Sequence, residues 1–328
     1  MSLRLSDYAY ELPDELVARY PPPYRDDSRM LVLSRETGLI EHRRFQDFPD
    51  YLAPGDLCVM NDARVIPARV IAQEPKLALL VVQRPTPTQW ICWVKPGRRA
   101  RLGREVQVGG IRGRVSHILP EGERVIDFPT APDLDAIGHP PLPPYLGREA
   151  EPGDRERYQT VYARTEAGAI AAPTAGLHFT PEILGRIPHA YLTLQVGAGT
   201  FLPVKAEDIT QHHMHRENYE ISRATALAIN AAKRIVAIGT TSLRVLESCG
   251  RDEEGRVVEQ TGWTDVFIHP PAQIRHAQAL LTNFHLPKST LMMLISAMAG
   301  RERILTAYAE AISERYRFFS YGDCMLIL

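Results

Sequence analysis

From residue 64 to residue 128 the chain shows no helical period at all. Six short runs rich in β-branched and aromatic residues follow one another there, over 64–71, 77–83, 89–95, 105–108, 112–118 and 123–128, with Pro and Gly between them. Evenly spaced short strands bounded by turn residues predict a small antiparallel barrel. On either side the texture differs. Apolar strand-like runs there alternate with helix starts, which predicts a layered α/β unit. The fold class expected is therefore α/β in two domains. Residues 1–60 and 150–328 form a discontinuous α/β domain, and residues 61–149 form an inserted β-barrel domain. At 328 residues the chain is long enough for both.

The α/β reading rests on particular runs. Residues 12–20 read as a short helix with Pro and acids in its first turn, stopped by the prolines at 21–23. Residues 30–33, 39–42 and 57–60 read as strands. The proline-rich 139–145 reads as an extended connector. Thr180 and Ser222 are helix N-caps, the second opening a helix to about Lys233. Strands are expected at 190–196, 234–239, 266–268 and 324–328, and helices at 243–248, 289–299 and 301–316.

Charge is uneven. The net charge of -1 speaks against a general nucleic-acid binder, yet residues 61–128 hold 12 Lys/Arg against 6 Asp/Glu. Arg98, Arg99 and Arg101 lie in the densest part, between Lys95 and Arg104, where they can grip phosphates or simply sit on a solvated hairpin tip. The four cysteines, Cys58, Cys92, Cys249 and Cys324, are far apart and form no C-x-x-C pair. That pattern suggests neither a zinc knuckle nor a disulfide framework, and a reducing, cytoplasmic setting is expected. No run is apolar enough to span a bilayer, and no membrane partner is expected.

Ionisable and glycine-rich stretches crowd the second half. An apolar run, 192–196, stops at Gly197-Ala198-Gly199-Thr200, leaving backbone N–H groups free to approach a ligand. A second turn, Gly239-Thr240-Thr241-Ser242, joins a buried strand to a helix, and suits a carboxylate, a phosphate or ribose hydroxyls at the helix N-terminus. An ordinary strand–helix turn with a Ser/Thr cap is the plainer alternative. Neither a Walker loop nor G-x-G-x-x-G is present. His212, His215 and Glu217 have a spacing found in metal sites, but no second ligand cluster accompanies them, and hydrogen-bonding or acid–base histidines are preferred. Phe318, Phe319 and Tyr321 surround an Arg and an Asp, a patch able to hold a cation or a flat ring.

Taken together these blocks resemble the S-adenosylmethionine:tRNA ribosyltransferase-isomerase family of queuosine biosynthesis. The resemblance is carried by Asn61-Asp62-Ala63-Arg64-Val65-Ile66-Pro67-Ala68-Arg69, by Pro141-Leu142-Pro143-Pro144-Tyr145 and by Tyr158-Gln159-Thr160-Val161-Tyr162-Ala163. It continues in 171–179, 196–201, His212-His213-Met214-His215-Arg216-Glu217, 239–248, 282–290 and 317–323, in the family's order and nearly end to end. It implies an α/β domain with an inserted barrel. It also implies an enzyme that consumes S-adenosylmethionine as a ribosyl donor, with no separate cofactor and no metal. The acceptor is the aminomethyl group of a 7-deazaguanine at the wobble position of a tRNA. The product is epoxyqueuosine, and adenine and methionine leave. A single chain acting alone is expected.

Within the matched blocks, His178, His215, Glu217, His285 and Asp323 are the expected catalytic groups. Gly197, Gly199, Thr200, Gly239, Thr240, Thr241, Ser242 and Phe319 are expected to hold S-adenosylmethionine. Arg64, Arg69, Arg98, Arg99 and Arg101 are expected to meet tRNA phosphates. The chain departs from the family at Gln195, where His is usual, at Gln278 and Pro271, where Asp and Gly are common, and at Ala63 for a common Thr. Its barrel also lacks a Gly-Gly element between Ala72 and Leu80. Two other readings compete: a non-catalytic RNA-binding protein using the basic barrel, and a metal hydrolase using His212, His215 and Glu217.

Overall fold

A computed structural model describes residues 3–164, 168–197, 199 and 204–328. Thr200, expected at the S-adenosylmethionine site, lies outside the described residues.

The first half of the architecture is a mixed nine-stranded sheet. Its strands run in the order Gln260–Thr264, Glu217–Ile221, His189–Leu194, Asp56–Asn61, Arg234–Ile238, Ala279–Asn283, Cys324–Ile327, Arg29–Leu33 and Ile40–Arg44. The four from His189–Leu194 to Ala279–Asn283 are mutually parallel. The flanking pairs are antiparallel except Arg29–Leu33 on Cys324–Ile327. Burial explains the composition. Asp56–Asn61 and Ala279–Asn283 are buried along their whole length, and they read as continuous apolar runs because both faces are covered. The outer strand Ile40–Arg44 carries Glu41, His42, Arg43 and Arg44 outward, which blunts an open edge.

The two faces are covered differently. Leu57, Val59, Ile235, Ala237 and Leu280 face helices Arg223–Ala231, Thr240–Ser248, Thr290–Ala299 and Arg301–Ser313. Cys58, Met60, Val236, Ile238 and Leu281 face a shell built on Phe45, Phe48 and Phe179. Period-two alternation along each strand thus feeds two separate cores.

The second half is the barrel. Strands Arg69–Ala72, Leu77–Thr86, Gln89–Lys95, Arg124–Asp127, Ile111–Ile118 and Glu105–Val108 form one six-stranded antiparallel sheet in that spatial order. Its first and last strands approach each other through Gln73 N–H to Gln107 O, 2.9 Å, and Gln107 N–H to Glu74 O, 3.0 Å. The sheet is nearly closed around a core of its own that includes Val70, Leu79, Val81, Trp90, Val106, Val115 and Ile126. Gly113 sits mid-strand because a Cβ there would lie 2.5 Å from the Phe128 ring. The chain enters this unit beyond Asn61 and Asp62. Asp62 is buried between Thr193 Oγ1, 2.6 Å, and Arg164 Nε, 2.5 Å. A two-strand neck, Arg64–Val65 on Gly168–Ala169, lies beside that exit.

Several local expectations failed. The helix expected over 12–20 is a single 3-10 turn, Asp14–Leu16. The segment instead pairs with the C-terminal loop, Phe318 N–H to Leu16 O at 2.8 Å and Ala18 N–H to Phe318 O at 3.2 Å, and so short a helix could not compete with that pairing. The strand expected at 266–268 lies at Gln260–Thr264. Thr264 Oγ1 accepts the N–H of Val266, 3.3 Å, and the carbonyl of Val266 turns to the Arg244 side chain, so the ladder ends before the apolar run. The run 64–71 is split in two around Pro67, and the last helix stops at Ser313. The connector is extended only to Pro143, where a 3-10 turn, Pro144–Leu146, brings Tyr145 back against the α/β unit.

Candidate active site

The carboxyl ends of the parallel strands open onto a cavity of about 570 Å³. Helix N-termini and strand-end backbone converge at that edge, which is where open α/β sheets place their ligands. The cavity is lined mainly by apolar groups, among them Val196, Val204 and the small side chains from Ala171 to Ala175.

One wall is the turn after Arg234–Ile238. Gly239 has φ 87°, a conformation open to glycine, and the chain passes through it directly into helix Thr240–Ser248. Thr240 and Arg244, four residues apart, share the face turned to the cavity. Arg244 is buried against Glu217, the first residue of strand Glu217–Ile221, and its Nη1 donates to Glu217 Oε2. Arg244 Nε donates to Val266 O, 3.2 Å, and Glu217 Oε1 accepts the N–H of Gly197, 3.0 Å. This carboxylate therefore neutralises the guanidinium and fixes the start of the glycine turn.

A second part of the wall follows the neighbouring strand, Ala279–Asn283. Asn283 Nδ2 donates to Phe319 O and to His178 Nε2, both 3.2 Å, which leaves the proton of His178 on Nδ1, facing Ser28 Oγ at 3.0 Å. Phe319 is held at φ 73°, a strained value for a side chain of its size. Its ring lies 4.7 Å from that of Tyr145, whose hydroxyl meets Ser320 Oγ at 2.6 Å. Burial pushes the Tyr145 phenol up to about 12. His285 lines the cavity, with Nε2 at 2.8 Å from Thr282 Oγ1. Burial lowers its imidazole to about 3, and that of His178 to about 4, so both are neutral at ordinary pH.

Among the described residues, three atoms of the cavity lining are buried without a hydrogen-bond partner: Thr241 Oγ1, Arg244 Nη2 and Asn283 Oδ1. Orphaned polar groups in a cavity wall are the mark of a site completed by a ligand.

Of the residues singled out from the sequence, Glu217, Gly239, Thr240, Thr241, His285 and Phe319 line this cavity. Gly197 adjoins it through Glu217. Gly199 packs under the exposed His215, whose ring would lie 2.5 Å from a Cβ at 199. His178, Ser242 and Asp323 stand behind the wall. Both carboxylate oxygens of Asp323 accept backbone N–H groups, from Arg29 at 2.8 Å and Arg317 at 2.7 Å, and burial raises its carboxyl above the usual range. Arg98, Arg99 and Arg101 are exposed on one turn of the barrel, with no carboxylate partner among the described residues. Arg64 is exposed at the neck, while Arg69 pairs with Glu149 at 2.7 Å. Among the described residues no cluster of three His, Cys, Asp or Glu is placed to hold a metal. No helix among them is long and apolar enough to cross a membrane.

Sequence reasoning missed Arg244, Asn283 and Tyr145 as lining residues. The signal for Arg244 was its four-residue spacing from Thr240 in one helix; for Asn283 and Tyr145 there was none beyond membership in the matched blocks. Gln278, a departure from the family, is structural here, its Oε1 accepting the N–H of Ile235 at 2.8 Å.

Known proteins are similar to this chain over nearly its whole length. Residues 5–327 match the family model described as queuosine biosynthesis protein. A protein of Desulforamulus reducens named S-adenosylmethionine:tRNA ribosyltransferase-isomerase is 46% identical over 345 aligned positions, covering 99% of this chain and 100% of that protein. One of the same name from Symbiobacterium thermophilum is 48% identical with the same coverage. The crystal structure of an S-adenosylmethionine tRNA ribosyltransferase from Thermotoga maritima is 35% identical, with a TM-score of 0.55 over 98% of this chain and 100% of that one.

Proposed function

The chain belongs to the queuosine biosynthesis protein family, and from that membership we propose that it transfers and isomerises the ribosyl unit of S-adenosylmethionine onto tRNA. The acceptor is the aminomethyl group of a wobble-position 7-deazaguanine, the product is epoxyqueuosine, and adenine and methionine are released. S-adenosylmethionine is a substrate of the reaction, and no separate cofactor takes part.

The observation that supports this reading is the convergence of Glu217, Gly239, Thr240, Thr241, His285 and Phe319 on one cavity from distant parts of the chain. The donor brings a sulfonium cation, and the cavity suits it. Among the described lining residues, His285 is neutral, Arg244 is matched by Glu217, and the other cation, Lys288, is exposed. The sulfonium acidifies the neighbouring ribose methylene. A base removes that proton, the ring rearranges, and adenine leaves as the tRNA amine attacks. His285 offers a neutral hydrogen bond. Glu217 orients Arg244 and Gly197. His215 has the accessible ring, beside Glu217 and over Gly199, and is assigned the exchange of protons with solvent. Arg98, Arg99 and Arg101 are assigned to tRNA phosphates, with residues 61–149 acting as the inserted docking domain.

The test is adenine release. The purified chain is mixed with S-adenosylmethionine and a tRNA bearing the aminomethyl-deazaguanine, beside a control tRNA bearing guanine. Adenine formed only with the modified tRNA supports the reading. No adenine, with equal binding of both tRNAs, supports a non-catalytic RNA-binding protein instead.

A further inference from the structure

We infer that S-adenosylmethionine lies along the strand ends with its methionyl carboxylate on Arg244 and its adenine amino group on Asn283. The inference rests on the cavity being the S-adenosylmethionine site and adds the direction in which the donor lies. It starts from the two partnerless atoms that belong to residues more than nine-tenths buried. Arg244 is 6% exposed and Asn283 is 2% exposed. Their chemistry is complementary. Arg244 has committed Nε to Val266 O and Nη1 to Glu217, which leaves Nη2 as a pure donor carrying positive charge. Its natural partner is an anionic oxygen. Asn283 has committed its amide nitrogen to Phe319 O and His178 Nε2, which leaves Oδ1 as a pure acceptor. It requires a ligand N–H or O–H, and it cannot serve a carboxylate.

The two groups also belong to different stretches of the cavity wall. Arg244 rises from the helix that follows Arg234–Ile238, the neighbour of Ala279–Asn283, and its side chain reaches towards Glu217, whose strand lies on the far side of Arg234–Ile238 from Asn283. An occupant that meets both is therefore drawn along the strand ends and meets different chemistry on its two sides. The Asn283 end holds the aromatic surfaces, with Phe319 and Tyr145 in contact and Tyr158 also on the wall. A purine fits there by stacking, and its exocyclic amine supplies the hydrogen that Asn283 Oδ1 lacks. Among the described residues, none that lines the Arg244 end is aromatic. S-adenosylmethionine has a carboxylate at one end and an aminopurine at the other, and only one of its two directions puts the carboxylate on the guanidinium and the purine against the aromatic wall. In the reverse direction the α-ammonium meets Asn283 Oδ1 and a ring nitrogen meets Arg244, but the carboxylate loses its cation and the purine its stacking surface.

The experiment is equilibrium binding to the full chain by titration calorimetry, using S-adenosylmethionine, its decarboxylated form and the analogue whose purine lacks the exocyclic amine. For the unaltered protein each deletion is expected to weaken binding about 10- to 100-fold, as for a lost hydrogen bond to a buried polar or charged partner. In Arg244→Lys the ammonium still neutralises Glu217, but the second donor is gone. There S-adenosylmethionine and the decarboxylated form should bind within about 3-fold of each other, while the penalty for removing the purine amine persists. That difference separates a positioning role from general damage to the fold, which would weaken all three ligands alike. Equal binding of S-adenosylmethionine and its decarboxylated form by the unaltered protein overturns the direction. So does a carboxylate preference that survives Arg244→Lys and disappears in Lys288→Met. Absence of any S-adenosylmethionine binding overturns the parent reading and this inference with it.

Discussion

Replacing Asp323 by Ala distinguishes a reacting carboxylate from a structural one, because the sequence suggests the former and the surroundings suggest the latter. Asp323 is 3% exposed, and its two oxygens accept the backbone N–H groups of Arg29 and Arg317. The first fixes the start of strand Arg29–Leu33 and the second pins the loop that presents Phe319 and Ser320 to the cavity. Alanine leaves both N–H groups buried without an acceptor. At about 1–3 kcal/mol for each orphaned group, the loss is about 2–6 kcal/mol, against a total stability of about 5–15 kcal/mol. For a chain of this size that corresponds to a fall in Tm of roughly 3–9 °C. Asp323→Asn keeps one acceptor and should fall between. The assay pairs thermal or urea unfolding, followed by circular dichroism, with adenine release measured well below the Tm of each variant. The expected pattern is a large loss of stability and a raised KM for S-adenosylmethionine, with kcat reduced less than 10-fold. Unfolding unchanged within about 0.5 kcal/mol, together with a kcat lowered 100-fold or more, would refute the structural account and restore Asp323 as a reacting carboxylate.

Other outcomes follow from the same reasoning. Glu217→Gln strands the buried Arg244 charge and should cost about 3–5 kcal/mol in urea unfolding, with part of the loss recovered when Arg244→Met is added; a double-variant loss equal to the sum of the two single losses would show that the pair is not coupled. His178 and His285 are held at about 4 and about 3 when folded, and they return towards about 6.5 when unfolded. The unfolded chain therefore takes up more protons in that interval. The stabilisation is present above about pH 6.5 and is lost as the pH falls, at up to about 1.4 kcal/mol per unit for each histidine. His285→Gln should accordingly reduce the fall in unfolding free energy between about pH 7 and pH 5 by about 2 kcal/mol, and an unaltered slope would contradict the burial argument. Neutralising Arg98, Arg99 and Arg101 together should weaken tRNA binding and reduce the slope of log affinity against log salt by about 2–3, while S-adenosylmethionine binding stays constant; an unchanged slope would remove these residues from the RNA interface.

The sequence by itself determined the two textures of the chain. A stretch with no helical period, broken by Pro and Gly every few residues, has few options beyond a small antiparallel sheet, and residues 69–127 form one. The apolar run 235–238 can be satisfied only inside a covered sheet, and there it is, whereas the central strand Ala279–Asn283 was not read from the sequence. The caps at Thr180 and Ser222 were legible because capping is local chemistry: each hydroxyl accepts an N–H three residues on, at 3.4 and 3.2 Å. The blocks that signal the family were equally local.

Tertiary structure alone decided what those blocks do. Residues 12–20 have a helical pattern, yet they pair with the loop around Phe318, because a long-range backbone ladder outweighs the weak preference of a short helix. Asp323 and His285 look alike in sequence, as ionisable residues in matched blocks. One has every acceptor committed to backbone and the other lines the cavity, and only the packing of strands distant in sequence makes that distinction. Arg244 shows the same limit from the other side. Its position on the helix is set by a 3.6-residue period, but its spare donor exists only because Glu217, 27 residues earlier, takes up Nη1 across the sheet. Local pattern fixes which elements form and which face is apolar. Which polar atoms are left without a partner is a property of the assembled molecule, since it depends on every group that the fold brings within hydrogen-bonding distance.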